Sequence, residues 1–462
     1  MRTKTFIIFA IVVPGEAMTG QDRIISARWI IPVVPEHAVL EQMALVIRDG
    51  RIHDLLPRTL AVGRYPDAER LDLPTHALLP GLVNAHTHAA MTLLRGLGAD
   101  QSLNVWLEQF IWPLEKRWMD REFVKAGSRL AIAEMLLSGT TCFNDMYFFP
   151  DATLEAAELM GIRMMAGLPV IGFPTRWAES PADYLRRGLE LRDRYTHNAR
   201  VRFALAPHAV YSVDEATLKL LSTLASELDL PVHMHLHETR KEVEDSIRIR
   251  GMTPIAYLYH LGLLNARLIA VHLTAVGPDE IRQLADAGVS AVHCPESNLK
   301  LGSGIAPVER FRHAGIRVAL GTDGAASNDD LDLLGEMRTA GFLAKGAGGD
   351  PTALPAGELI RMATLEGARA LGLETEIGSL EVGKSADCIA IDLSAPATTP
   401  CHDPVAQIVY AATRNQVSHV WIAGTPRVVD GRLVPDELED ILSTARNWED
   451  RLSRGVRGEE AV

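Results

Sequence analysis

The chain has 462 residues, 47% of them apolar and 23% charged, the balance of a globular enzyme large enough for one α/β barrel and a modest second domain. Its 46 basic and 59 acidic residues leave a net charge of −13, with no long Lys/Arg run to reverse it locally, which argues against nucleic acid as a partner. Cys142, Cys294, Cys388 and Cys401 lie far apart with no CxxC pair; this speaks against a disulfide framework or a thiolate zinc cluster and fits a cytoplasmic protein.

The opening MRTKTFIIFAIVVPGEAMTG places Arg2 and Lys4 before an apolar run from Phe6 to Val13. It resembles the charged and apolar regions of a signal peptide but lacks a clean small-x-small cleavage site, and the run is too short to span a bilayer. Translation is expected to start at Met18, leaving residues 1–17 as an extension. No later run reaches the ~18 apolar residues of a membrane helix, so no membrane association is expected.

After Met18, RIISARWIIPV and MALVIRDGRIHDLLP read as strands, with Asp49-Gly50 as a hairpin signal. The same texture returns in GSLEVGKSADCIAID (378–392) and SHVWIAGTPRVVDGRLV (418–434), with a second DG at 430–431. Residues 18–79 and 376–435 are therefore expected to build one small β-sandwich domain from both ends of the chain. Residues 436–462 have the spacing and charge of a surface helix.

Between 80 and 375, short apolar runs alternate with helical patterns, as βα units do. Eight runs stand out: 78–86, 140–146, 163–170, 202–208, 231–237, 267–273, 289–295 and 317–323. Eight such units predict a (β/α)8 TIM barrel. Polar residues gather at the C-terminal ends of these runs, the catalytic face of such a barrel.

His86 and His88, in NAHTHA, end the first run, and their alternate spacing points both inward. An HxH pair alone is weak evidence. The fourth run adds His208, the fifth His235, the sixth His272 and the eighth Asp323, so five of eight strand ends carry a ligand-type residue. Three imidazoles and a carboxylate suit zinc, with room for one water. A coordinated water becomes nucleophilic at neutral pH but needs a general base. Glu238 follows three residues after His235, where the chain has left its strand, and can fold back over the site. In HMHLHET, His233 shares the ligand's face one layer deeper, whereas strand alternation no longer fixes His237. HExxH, HxE…PCxxC, GxGxxG before a helix and GxxxxGK[ST] are all absent.

The motifs PGLVNAHTHAAMTLLRG (80–96), WPLE (112–115), HLHET (235–239), SNLKLGSGIAP (297–307), LGTDGAASN (320–328) and GSLEVGKSAD (378–387) resemble the amidohydrolase superfamily. Within it, they are most similar to the 5′-methylthioadenosine/S-adenosylhomocysteine deaminases and their relatives. The resemblance implies one zinc ion per subunit, held at His86, His88, His235 and Asp323. It further implies that Glu238 shuttles protons, that His272 orients the attacking hydroxide, and that Asp323 assists proton transfer to departing ammonia. Glu115 matches the acid that accepts hydrogen bonds from both ribose hydroxyls, and His208 a histidine that contacts the nucleoside.

One departure concerns the substrate's amino-acid tail, which some members grip with arginines after the third strand. Leu168 stands at one such place, and Arg176 is the nearby candidate for a second; this favours methylthioadenosine slightly over S-adenosylhomocysteine. The expected activity is hydrolytic deamination of the adenine 6-amino group of a nucleoside substrate, giving the inosine analogue and ammonia, in a protein that can form homo-oligomers. The enzymatic alternative is deamination of a free base (guanine, 8-oxoguanine, cytosine) or s-triazine hydrolysis. The alternative of another class is a non-catalytic binding barrel.

Overall fold

The structure, a computed structural model, describes residues 21–457; the expected extension at 1–17 lies outside the described residues. Eight parallel strands form a barrel in sequential order. They are Leu82–Thr87, Thr140–Asp145, Arg163–Val170, Val201–Pro207, Val232–Leu236, Leu268–His272, Ser290–His293 and Arg317–Leu320. Nearly every residue in them is buried, because the helices outside and the packed side chains inside cover both faces. Several of the helices begin at side-chain caps: Asp120, Ser180, Asp214, Thr239 and Thr253 each accept a first-turn backbone N–H.

The run at 78–86 divides in two. Glu69–Pro80 belongs to a separate sheet, and the barrel starts at Leu82. Gly81 makes the crossing, where a Cβ would lie 2.1 Å from Thr141 Oγ1, so no other residue fits. The eighth strand meets the first through a parallel bridge between Thr87 and Asp323, and the Asp323 N–H donates to the His86 carbonyl at 3.0 Å. Gly321 allows this approach, since a Cβ there would lie 2.9 Å from His86 Cβ.

Strands from both ends of the chain form one nine-stranded mixed sheet. Glu69–Pro80 is the joint: it pairs in parallel with Arg23–Ile30 and antiparallel with Cys388–Asp392. The sheet curls on itself like a sandwich rather than dividing into two sheets. Its N-terminal hairpin tip meets the C-terminal strands, where Ala386 N–H donates to the Gly50 carbonyl at 2.9 Å. Asp49-Gly50 and Asp430-Gly431 both have positive φ throughout, the twist that two-residue hairpin turns require. The helix Leu438–Arg457 leaves this sheet and packs on the barrel, with the buried Trp448 edge-on to Phe123 at 5.2 Å and Trp118 at 6.5 Å.

Between the first strand and the helix Arg121–Leu137, the chain makes an excursion over the barrel mouth. It comprises a 3-10 turn at Ala89–Leu94, a helical turn at Leu103–Trp106, a π-helical turn at Leu107–Ile111 and the helix Trp112–Trp118.

A buried ion pair fastens the barrel to the curled sheet. Arg163, at the start of the third strand, donates from Nε and Nη2 to Asp387, and Asp387 also accepts from Ser385 Oγ at 2.7 Å and Ala423 N–H at 2.8 Å. Removing one partner of such a pair leaves the other charge buried and uncompensated. Arg163→Met is therefore expected to destabilise the fold by about 3–5 kcal/mol, read as a lower urea midpoint; a loss below about 1 kcal/mol would show the pair to be a solvated one.

Candidate active site

A cavity of about 760 Å³ opens at the C-terminal ends of the barrel strands. His88, His235, His208, His272, Asp323, Glu238, Glu115 and Arg176 all line it, while His86 sits fully buried against this group. The structure thus brings together every residue singled out from the sequence except Arg176, which stands at the rim. Its guanidinium is tied to the Arg117 carbonyl at 3.1 Å, lies 4.0 Å from Asp120, and is about half exposed.

His86, His88, His235 and Asp323 each direct one ligand atom to a common point, all within 4.8 Å of one another. Asp323 Oδ1 lies 3.2 Å from both His86 Nε2 and His88 Nε2, and His88 Nε2 lies 3.3 Å from His235 Nε2. Four atoms placed tetrahedrally at ~2.0–2.2 Å from one ion lie roughly 3.3–3.6 Å apart, so the donor set fits a zinc-sized ion.

The other nitrogen of each imidazole is already engaged. His88 Nδ1 meets the Met146 carbonyl at 2.5 Å, His235 Nδ1 the His208 carbonyl at 2.9 Å, and His86 Nδ1 the Nε2 of His233 at 2.8 Å. Tying Nδ1 leaves Nε2 as the free donor and fixes the ring's orientation. Burial lowers His86 to about 3 and holds His235 well below the usual histidine range, so both present neutral imidazoles.

Asp323 Oδ2 accepts from two hydroxyls, Ser297 at 2.6 Å and Ser327 at 2.8 Å. This divides the carboxylate: Oδ1 faces the imidazoles and Oδ2 is held by the loops. Asp145, at the end of the second strand, accepts from the Ala89 N–H at 2.7 Å and from Thr87 Oγ1 at 3.0 Å, which pins the segment carrying His86 and His88.

Glu238 and His272 stand beside this cluster. The fifth strand ends at Leu236, and His237, at φ +51°, turns the chain so that Glu238 faces the cavity. Glu242, in the first turn of the helix Arg240–Arg250, accepts the N–H groups of His237 and Glu238 and locks that turn. Glu238 Oε2 lies 3.9 Å from His272 Nε2, and Oε1 accepts from Ser303 Oγ at 3.3 Å. Burial raises the Glu238 carboxyl above its usual range. His272 is anchored through Nδ1 to Asn298 Oδ1 at 2.8 Å, leaving Nε2 turned toward Glu238. His237 is not part of the cluster: its Nδ1 bonds the Ala275 carbonyl at 2.7 Å, and its Nε2 accepts the Ile255 N–H.

On the excursion, Glu115 accepts from Tyr147 Oη at 2.8 Å, and burial raises it to about 7 against that hydrogen bond. The remaining wall is mostly apolar, including Trp106, Trp112, Phe148 and Phe173.

The sequence model of the amidohydrolase family matches residues 77–427. The chain belongs to this family. Among similar proteins is a 5-methylthioadenosine/S-adenosylhomocysteine deaminase of Teredinibacter turnerae, 44% identical over 434 residues, covering 94% of this chain and 98% of the relative. One of the same name from Thermodesulfovibrio yellowstonii is 39% identical over 94% of this chain and 99% of its own length. A solved adenosine deaminase from Xanthomonas campestris with bound zinc has a TM-score of 0.92 at 48% identity, over 94% of this chain and 99% of that one. A zinc-complexed atrazine chlorohydrolase from Arthrobacter aurescens has a TM-score of 0.86 at 28% identity, over 92% and 99% respectively. This amidohydrolase is therefore a hydrolase acting on C–N bonds.

Several contributors were not singled out from the sequence. Ser297, Asn298 and Ser303 lie inside the motif at 297–307 but had no individual role, because their partners are on other strands. Asp145, in TTCFNDM, is a sixth polar strand end. Tyr147 and the aromatic wall carry no spacing signal at all. His233 supports a cluster member directly, so His233→Ala is expected to weaken metal binding about 10–100-fold, measured as metal retained after dialysis against a chelator. Unchanged retention would mean that His86 keeps its orientation by packing alone.

Proposed function

We propose that this amidohydrolase is a zinc-dependent deaminase of an adenosine 5′-thioether, 5′-methylthioadenosine or S-adenosylhomocysteine, releasing ammonia and the inosine analogue. The observation that carries this reading is the pairing, in one cavity, of the three-histidine, one-aspartate cluster with Glu115 on the excursion above it. The relatives' shared name and the zinc-bound adenosine deaminase support the same assignment. With this reading goes a cytoplasmic enzyme that takes a small molecule rather than nucleic acid and can self-associate. Among the described residues, no helix is long and apolar enough to cross a membrane.

His86, His88, His235 and Asp323 would hold the ion, which supplies Lewis acidity and lowers the pKa of a coordinated water to near neutrality. Glu238 has the position and raised basicity of a proton shuttle: as carboxylate it takes a proton from the attacking water, and as acid it delivers that proton to purine N1. His272 Nε2, fixed by Asn298, orients the nucleophile. Asp323, with Oδ2 restrained by two serines, accepts the second proton and passes it to the leaving amine. The ionised Glu115 carboxylate accepts both ribose hydroxyls, which a free base or an s-triazine lacks. His208, its Nδ1 held by Ser212 Oγ at 2.9 Å, lines the nucleoside side of the cavity. Arg176 is placed to meet a charged tail only if it leaves the Arg117 carbonyl, which supports methylthioadenosine as the better substrate.

Comparison of kcat/KM for methylthioadenosine, S-adenosylhomocysteine, adenosine, guanine and an s-triazine, by ultraviolet absorbance and ammonia release, tests the assignment; preference for a free base or a triazine overturns it. Glu238→Gln is expected to lower kcat by about 10²–10⁴-fold with metal content retained. Glu115, with a pKa of about 7, ionises as pH rises, so KM for the nucleoside is expected to fall between about pH 6 and pH 8. Glu115→Gln should raise KM and abolish that dependence; a pH-dependent KM persisting in the variant would assign the titration to another group.

A further inference from the structure

Glu336 is fully buried near the start of the helix Leu333–Gly348, and no step of the proposed reaction uses it. Its carboxylate joins two short helices, Pro295–Lys300 and Ala325–Asn328. Oε2 accepts the Glu296 backbone N–H at 3.3 Å, and Oε1 accepts from Asn328 Nδ2. Asn328 Nδ2 also donates to the Thr322 carbonyl at 2.7 Å.

Each contact lands one residue from the Asp323 carboxylate's own support. Ser297 follows Glu296, Ser327 precedes Asn328, and Thr322 precedes Asp323. Ser297 and Ser327 are the two hydroxyls that hold Asp323 Oδ2, leaving Oδ1 to face His86 and His88. One buried carboxylate therefore ties together both arms that decide which oxygen of Asp323 points at the imidazoles. Burial and the nearby acids Glu296 and Asp330 disfavour a carboxylate at this place, and an apolar side chain would carry no such penalty. What an apolar side chain cannot do is accept from both helices at once.

We propose that Glu336 is a positioning residue: through Glu296 and Asn328 it holds Ser297 and Ser327 in register and so orients Asp323 for metal binding and turnover. The turnover part rests on the deaminase reading; the metal-affinity part does not.

The test uses the full chain loaded with zinc. Glu336→Gln keeps the shape but presents an amide N–H to one of its two donors. Competition with a chromophoric chelator is expected to show a zinc Kd about 10–100-fold higher. With methylthioadenosine, kcat should fall by a similar factor while KM stays within about twofold, since Glu115 is untouched. Met337→Ala, a buried neighbour on the same helix, should lower Tm without moving the zinc Kd. Asn328→Ala severs the other arm and should reproduce the zinc shift, which keeps the question open to measurement should Glu336→Gln fail to fold. A wild-type zinc Kd in Glu336→Gln or Asn328→Ala overturns the proposal, as does an equal loss of zinc affinity in Met337→Ala at the same drop in Tm. If wild-type protein shows no deamination but the zinc shift is present, the deaminase reading fails and the positioning role stands.

Discussion

The hydrogen bond from the Asp323 amide to the His86 carbonyl closes the barrel, and the site depends on that closure. Residues 86 and 323 are at opposite ends of the barrel sequence, and only the meeting of the first and eighth strands sets Asp323 Oδ1 3.2 Å from two imidazoles. Parallel strands leave all their C-terminal ends on one side, so every other member of the cluster arrives at the same height without further chain reversal. Gly321 is where that closure is most demanding, because a side chain there would strike the His86 backbone and Cβ.

Among the residues at this face with left-handed backbone conformations, uncommon outside glycine, are His237 at φ +51°, His272 at φ +75° and Asp323 at φ +61°. Each sits where a strand gives way to a loop, and each such conformation costs of order 1–3 kcal/mol unless its surroundings hold it. Here the surroundings are specific: Glu242 holds the His237 turn, Asn298 holds His272, and Ser297 and Ser327 hold Asp323. In each case the restraining residue lies on a helix that follows a barrel strand.

The cavity combines a polar floor with apolar walls. Desolvation keeps His86, His208 and His235 neutral and pushes Glu115 and Glu238 upward. Burial also works against ionising Asp323, yet hydrogen bonds from His86 and His88 and the charge of His88 hold its carboxyl well below the usual range. One carboxylate is thus kept ionised beside two that burial raises, a separation that environment alone produces. The aromatic wall of Trp106, Trp112, Phe148 and Phe173 comes from the excursion and from the loops after the second and third strands.

The barrel was readable from sequence because each strand is a short apolar run ended by polar residues, and periodicity is a local property. His86, His88, His235, His272, His208 and Asp323 could be found for the same reason: they end strands. Glu238 could be placed three residues beyond one. The loops that restrain them could not, since Ser297, Ser327, Tyr147 and Glu336 act through partners far away in the chain or around a turn that no spacing rule describes. The joining of the two terminal β-regions into one curled sheet was likewise decided by pairing along Glu69–Pro80, a strand whose apolar end reads as the start of the barrel. What the sequence by itself determined was which polar residues gather at the strand ends; which oxygen or nitrogen of each faces the common point was decided only by the tertiary structure, because a side chain's orientation is set by the partner that engages its other polar atom.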